Sequence, residues 1–86
     1  MLKGIVVYML TGVGSQSEGV YPFLYVGNNV YKRIWLEEDG SLMGNALLPY
    51  DGKTVELVGD YDVYGIFCIR EIKVLFDMDF KTENKH

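Results

Sequence analysis

Apolar and polar positions alternate along this chain in short runs, with helical spacing nowhere sustained beyond a turn or two. GIVVYML, from Gly4 to Leu10, is a continuous apolar, β-branched run. TVELVGDYD sets Val55, Leu57, Gly59 and Tyr61 against Thr54, Glu56, Val58 and Asp60. Both read as strands, the second half-buried. A glycine- and serine-rich loop, TGVGSQSEG, follows the first run, and YPFLYV and VYKRIWL then flank GNN. Residues that tolerate positive φ make Gly27 to Asn29 a tight turn and the flanking runs a hairpin.

The hairpin register decides which side chains share a face. If all three GNN residues form the turn, Val26 faces Val30 and Tyr25 faces Tyr31. Phe23, Tyr25, Tyr31, Arg33 and Trp35 then line one face, with Leu24, Val26, Val30, Lys32, Ile34 and Leu36 on the other. A two-residue Asn-Asn turn groups Leu24 and Val26 with Tyr31, Arg33 and Trp35 instead.

EEDGSLMGNALLPYDGK is the only helical candidate: Ser41 can cap one or two turns carrying Leu42, Met43, Ala46, Leu47 and Leu48, which Gly44 weakens and Pro49 ends. After the TVELVGDYD strand, VYG is a link, and GIFCIREIKVLF resumes alternation through Ile66, Cys68, Arg70, Ile72, Val74 and Phe76. Arg70 interrupts that apolar face, so a bulge or strand crossing is expected near IREI. The end, DMDFKTENKH, turns polar, giving a single domain over 1–80 and a polar tail over 81–86.

Strand, hairpin, short helical insert and two strands is an order that resembles a small OB-fold, a five-stranded barrel whose fourth strand follows a helix set against its open end. Asp51-Gly52-Lys53, TVELVGDY and IREIKVL resemble the corresponding segments of uncharacterised bacterial OB-like domains, over about residues 4 to 76. The expected fold is therefore mostly β: a small five-stranded OB-like barrel with one short helical segment between strands three and four. An SH3-like barrel accounts for the strands but gives LMGNALLPY less to do.

Composition narrows the picture. The 86 residues suit one domain that buries only roughly 60 to 65 per cent of its unfolded surface, so the core is thin. An apolar fraction of 49%, with seven Tyr, four Phe and one Trp, argues against disorder. Eight Lys plus Arg against 12 Asp plus Glu give a net charge of -4, which disfavours binding a polyanion unless a local basic patch assists. The apolar run near the start is too short for a secretory signal, and nothing approaches the roughly 20 apolar residues of a membrane span. The expectation is a cytoplasmic protein that does not enter membranes. Cys68, the single cysteine, has no partner for an internal disulfide and no spaced ligands for zinc, and is read as a small buried apolar side chain.

Few residues suggest reaction chemistry. GVGSQSEG lacks the Gly-Lys-Ser or Gly-Lys-Thr ending of a phosphate loop. DYD at 60–62 and DMD at 77–79 do not continue into a calcium-binding loop and read as solvated turn carboxylates. His86, the only histidine, ends the chain, where nothing positions it as a base. No catalytic residues, metal or cofactor are expected, and the chain is not read as an enzyme. The OB resemblance implies a ligand face on strands two and three, drawing on Phe23, Tyr25, Tyr31, Arg33 and Trp35, with rims at Gly14 to Gly19 and Asp62 to Gly65. Its rings can stack on bases and Arg33 can meet phosphate or stack as well. Against this, a thin core needs large side chains, which favours core or interface packing for Trp35 and most tyrosines.

Two readings follow. The preferred one is a non-enzymatic protein-interaction or assembly module that meets a protein partner or another copy of itself through an exposed sheet edge and aromatic surface. The alternative is a single-stranded nucleic-acid-binding OB module. Lys32, Arg33, Lys53 and Arg70 gathered around stacked aromatics would favour nucleic acid; an acidic aromatic face or an apolar patch would favour protein.

Overall fold

A computed structural model describes residues 1–16, 18–38 and 45–76. Five strands, β1 (Leu2–Thr11), β2 (Gly19–Gly27), β3 (Val30–Leu36), β4 (Thr54–Tyr61) and β5 (Phe67–Phe76), form a closed barrel in the order β1-β2-β3-β5-β4. A 3-10 helix, Asn45–Tyr50, lies between β3 and β4. This is the expected small five-stranded barrel with one short helical segment between strands three and four. All neighbouring strands are antiparallel except β3 and β5, which run parallel through Ile34 with Phe67, Trp35 with Cys68 and Leu36 with Ile69. The suggested cap Ser41 with Leu42 and Met43, the acids at 77–79 and the tail at 81–86 lie outside the described residues. Among the described residues no helix is long and apolar enough to cross a membrane.

The β2–β3 hairpin combines the two turns that the sequence allows. Asn28 and Asn29 form a two-residue loop with φ of 53° and 62°, the pair of positive angles that a type I′ turn requires. Gly27 pairs with Val30 and Tyr25 with Tyr31, so Val26 is an extra residue, a bulge. The two-residue turn alone would have flipped the faces. The bulge adds back the missing residue and restores the register in which Tyr25 faces Tyr31 and Phe23 faces Arg33.

Inside the barrel, Val6, Leu24, Ile34, Val55, Leu57, Phe67 and Ile69 are buried together. Alternation places the odd residues of β4 inward, as its sequence predicts, but β5 differs from the expected face. Phe67 and Ile69 point inward, whereas the sequence alternation groups Ile66 and Cys68 with Ile72. Gly59 pairs with Ile69 and Val58 with Glu71, so Arg70 is an extra residue that reverses parity and brings Ile72 against the core. The bulge expected near IREI is the cause: a charged residue placed out of the ladder avoids burial without a partner.

Leu47 is fully buried and fills one end of the barrel from the 3-10 helix. Pro49 lies inside that helix and does not end it, contrary to the sequence expectation. In so short a 3-10 segment a proline near the end forfeits a single N–H. The following turns continue without it, Asp51 N–H donating to Leu48 O at 3.1 Å and Lys53 N–H to Tyr50 O at 2.9 Å. Gly52 N–H then donates to Val6 O at 2.7 Å, and Val6 N–H to Lys53 O at 3.1 Å, locking the helix exit onto β1.

Close backbone approach explains two glycines. A Cβ on Gly59 would lie 1.9 Å from the carbonyl oxygen of Cys68, and one on Gly4 would lie 2.3 Å from that of Tyr25. Both sit where neighbouring strands press together to bend the sheet. In denaturant unfolding, Gly59→Ala is expected to cost about 3 kcal/mol, the upper end for overpacking. Leu47→Ala is expected to cost about 2 to 5 kcal/mol through the cavity it leaves. A loss below about 1 kcal/mol for Leu47→Ala would show that the helix does not fill the barrel end.

Candidate functional site

The outward rows of three adjacent strands carry apolar and aromatic side chains. On β1 they are Ile5, Val7 and Met9, opposite Tyr25, Phe23 and Tyr21 of β2. On β3 they are Tyr31, Arg33 and Trp35, the first two facing Tyr25 and Phe23. The five residues singled out in the sequence, Phe23, Tyr25, Tyr31, Arg33 and Trp35, thus share the outer surface of the barrel. Tyr25 and Tyr31 touch with ring centroids 4.9 Å apart and planes tilted by 44°. Tyr31 is exposed and the others are half-buried. Trp35 is outside the barrel, because alternation along β3 turns its neighbour Ile34 inward. The outward row of β4 is of another character, with Thr54, Glu56, Val58 and Asp60, so one side of the barrel is apolar and another charged.

Where β3 leaves β2 to pair with β5, the surface sinks into a hollow of about 370 Å³ lined by Tyr21, Arg33, Trp35, Asp62, Ile66 and Cys68. The Arg33 guanidinium lies 4.1 Å from the Tyr21 ring centroid and 6.0 Å from that of Phe23. These are cation–π contacts, with the first close enough for stacking. Its Nε is shielded from solvent and has no hydrogen-bond partner among the described residues. The opposite rim is the β4–β5 loop, organised by Asp62. Its Oδ1 accepts from the N–H groups of Tyr64 at 2.8 Å and Ile66 at 2.9 Å, an Asx turn extended by two residues. Asp62 N–H donates to Ile66 O at 2.9 Å, closing the loop and holding Val63 and Tyr64 out in solvent, 91% and 84% exposed.

The loop between β1 and β2, the other expected rim, folds on itself in its described part. Ser15 N–H and Oγ both donate to Gly12 O, at 2.9 and 2.7 Å, and Gly14 N–H donates to Glu18 Oε1 at 3.1 Å.

Positive charge is not gathered on the aromatic surface. Arg33 is held among rings. Lys32 projects from the opposite side of β3, its Nζ 5.7 Å from the Tyr61 ring centroid. Arg70 donates from Nη1 to Asp60 Oδ2 at 2.6 Å, and that pairing raises its pKa further. Lys53 belongs to the helix exit against β1. The acids of DYD therefore have structural partners: Asp60 an arginine, Asp62 two backbone donors.

Sequence reasoning did not assign Tyr21, Asp62, Ile66 and Cys68 to a common hollow, nor Ile5, Val7 and Met9 to the surface beside it. A signal for the β1 residues was present: GIVVYML is apolar at successive positions, the pattern of a strand covered on both faces. No local signal marked the hollow, because it needs the parallel pairing of β3 with β5. Among known proteins the chain matches no family model, no curated protein and no solved structure.

Cys68 is half-buried, with its Sγ 3.8 Å from Ile66 O and 4.0 Å from Asp62 Oδ2. Burial, with Asp62 and then Glu37 adding negative charge nearby, pushes its thiol pKa up. The thiol is thus protonated at neutral pH and a poor nucleophile. Because its pKa is higher folded than unfolded, its contribution to stability is complete below the unfolded value of about 8.5 and is lost as pH rises through the folded one. Denaturant unfolding should therefore show stability falling above about pH 8.5, less steeply in Cys68→Ser. Iodoacetamide should alkylate the native thiol more slowly than free cysteine at pH 8; equal rates would contradict the raised pKa.

Proposed function

We propose that this protein is a non-enzymatic interaction module of OB type that binds another protein, or a second copy of itself, through the outer face of β1, β2 and β3. The observation that carries this reading is the contrast between the two sides of the barrel. Outward positions on an isolated barrel are ordinarily polar, as on β4, yet here Ile5, Val7, Met9, Tyr21, Phe23, Tyr25, Tyr31 and Trp35 adjoin one another. A contiguous apolar surface of this kind marks a contact site, and Tyr and Trp supply large contact area at little cost in rotamer entropy. The face takes over the role expected of a sheet edge: the barrel closes, and among the described residues open edges remain only where ladders stop short, as along β5 beyond Ile69.

Charge favours protein over nucleic acid as the occupant. A strand of nucleic acid needs cations along its backbone, and among the described residues the aromatic face offers only Arg33 and, at its β1 end beside Glu56, Lys3. Ring stacking keeps the alternative of single-stranded nucleic-acid binding worth a direct test.

Light scattering over a concentration series is expected to show self-association by high micromolar concentration, abolished by Tyr31→Glu. A strict monomer would leave a different protein as the partner. Labelled single-stranded DNA and RNA are expected not to bind saturably at moderate salt. Salt-sensitive, saturable binding that loses about 1 to 3 kcal/mol per base in a folded Trp35→Ala variant would overturn the protein reading in favour of nucleic acid.

A further inference from the structure

The hollow beside β3 is polarised. At one side the Arg33 guanidinium is fixed by its contact with Tyr21 and has no ion-pair partner among the described residues. Because Nε is covered, whatever Arg33 donates to the hollow it donates through its terminal nitrogens. At the other side stands Asp62. Its Oδ1 is occupied by two backbone N–H groups, while among the described residues Oδ2 has only the weak thiol contact of Cys68 at 4.0 Å. The Asp62 carboxylate, 4.0 Å from the Cys68 sulfur, makes this end of the hollow negative. Tyr21, with the guanidinium over its ring, and Trp35 also line the hollow.

This arrangement selects by charge and shape. A carboxylate is attracted to Arg33 but repelled by Asp62, and an ammonium group meets the reverse. A neutral planar group with an acceptor at one end and a donor at the other satisfies both sides and can lie against a ring. The terminal carboxamide of Asn or Gln has these properties and enters a recess end-on, which a backbone peptide group, substituted at both ends, does not.

We propose that the hollow recognises a side-chain carboxamide, Gln or Asn, of a partner polypeptide: its C=O accepts from Arg33, its NH2 donates to Asp62 and its plane rests on Trp35. The assignment rests on the protein-interaction reading, with apolar residues flanking the amide lying on the surface around Phe23, Val7 and Met9. A nucleobase presents a similar edge but brings a phosphate with each step to a face with little cationic support.

Acetyl-Leu-Gln-Leu-amide titrated into the 15N-labelled protein is the test, with acetyl-Leu-Glu-Leu-amide and guanosine as comparators. The Gln peptide is expected to shift the Trp35 indole N–H, the Arg33 Nε–H and the Ile66 amide saturably. Its affinity should fall about tenfold or more in Arg33→Lys, which keeps the charge and loses the planar fork. The Glu peptide should bind about tenfold more weakly, and Asp62→Asn, whose side-chain oxygen can still accept the loop N–H groups, should narrow that gap. Equal or tighter binding of the Glu peptide, absence of the three shifts, or tighter binding of guanosine would each overturn the assignment. If the peptides fail while Tyr31-dependent self-association persists, the pocket assignment falls and the interaction face stands. Peptide binding without any protein assembly on the face would separate the two the other way.

Discussion

The closure of the barrel through three residues of β3 is the constraint on which the rest depends. Ile34 to Leu36 pair in parallel with Phe67 to Ile69, while the earlier part of the same strand pairs with β2. A strand has two hydrogen-bonding edges, and β3 uses one for β2 as far as Arg33 and the other for β5 from Ile34 onward. The second pairing brings Ile34 against Phe67 and Ile69 inside the barrel and sets the β4–β5 loop beside Tyr21, with the hollow between them outside it. Core and candidate site are thus consequences of one change of partner.

Such a closure needs relief elsewhere, and the chain supplies it with single residues. Val26 and Arg70 are extra residues in their ladders, each reversing which parity of its strand faces inward. Gly4 and Gly59 remove the side chains that would block the approach of neighbouring backbones. Leu47 then enters the end of the barrel from a helix that is itself tied to β1 through Gly52 and Lys53. In a chain of 86 residues, with eight side chains in the buried cluster of the described residues, each of these has few substitutes.

The outside of the barrel follows from the same economy. Among the described residues the buried cluster holds aliphatic side chains and Phe67, with Tyr8 and Tyr50 packed against it, while Tyr21, Phe23, Tyr25, Tyr31 and Trp35 lie on the outer surface. Arg33 belongs to this layer: its guanidinium extends the aromatic surface by stacking on Tyr21 and sets a positive charge there. The opposed charge of Asp62 is fixed by its part in shaping the loop. The candidate pocket therefore combines a group stabilised by packing with another stabilised by turn hydrogen bonds.

The sequence by itself determined the local elements. Alternation defined the strands, Asn28 and Asn29 defined the turn, Arg70 announced a bulge by interrupting an apolar row, and the grouping of Phe23, Tyr25, Tyr31, Arg33 and Trp35 was among the registers that GNN permits. These follow from periodicity and turn chemistry, which act over a few residues. Tertiary structure decided what depends on partners distant in the chain: that Val26 bulges and so selects the register, that Phe67 and Ile69 replace Ile66 and Cys68 as the inward pair, and that Pro49 is carried within a 3-10 helix anchored by Leu47. It also decided that Tyr21, Arg33, Asp62 and Cys68 border one hollow. Period-two alternation leaves two faces to choose between, and only the packing of the other strands makes one of them the inside.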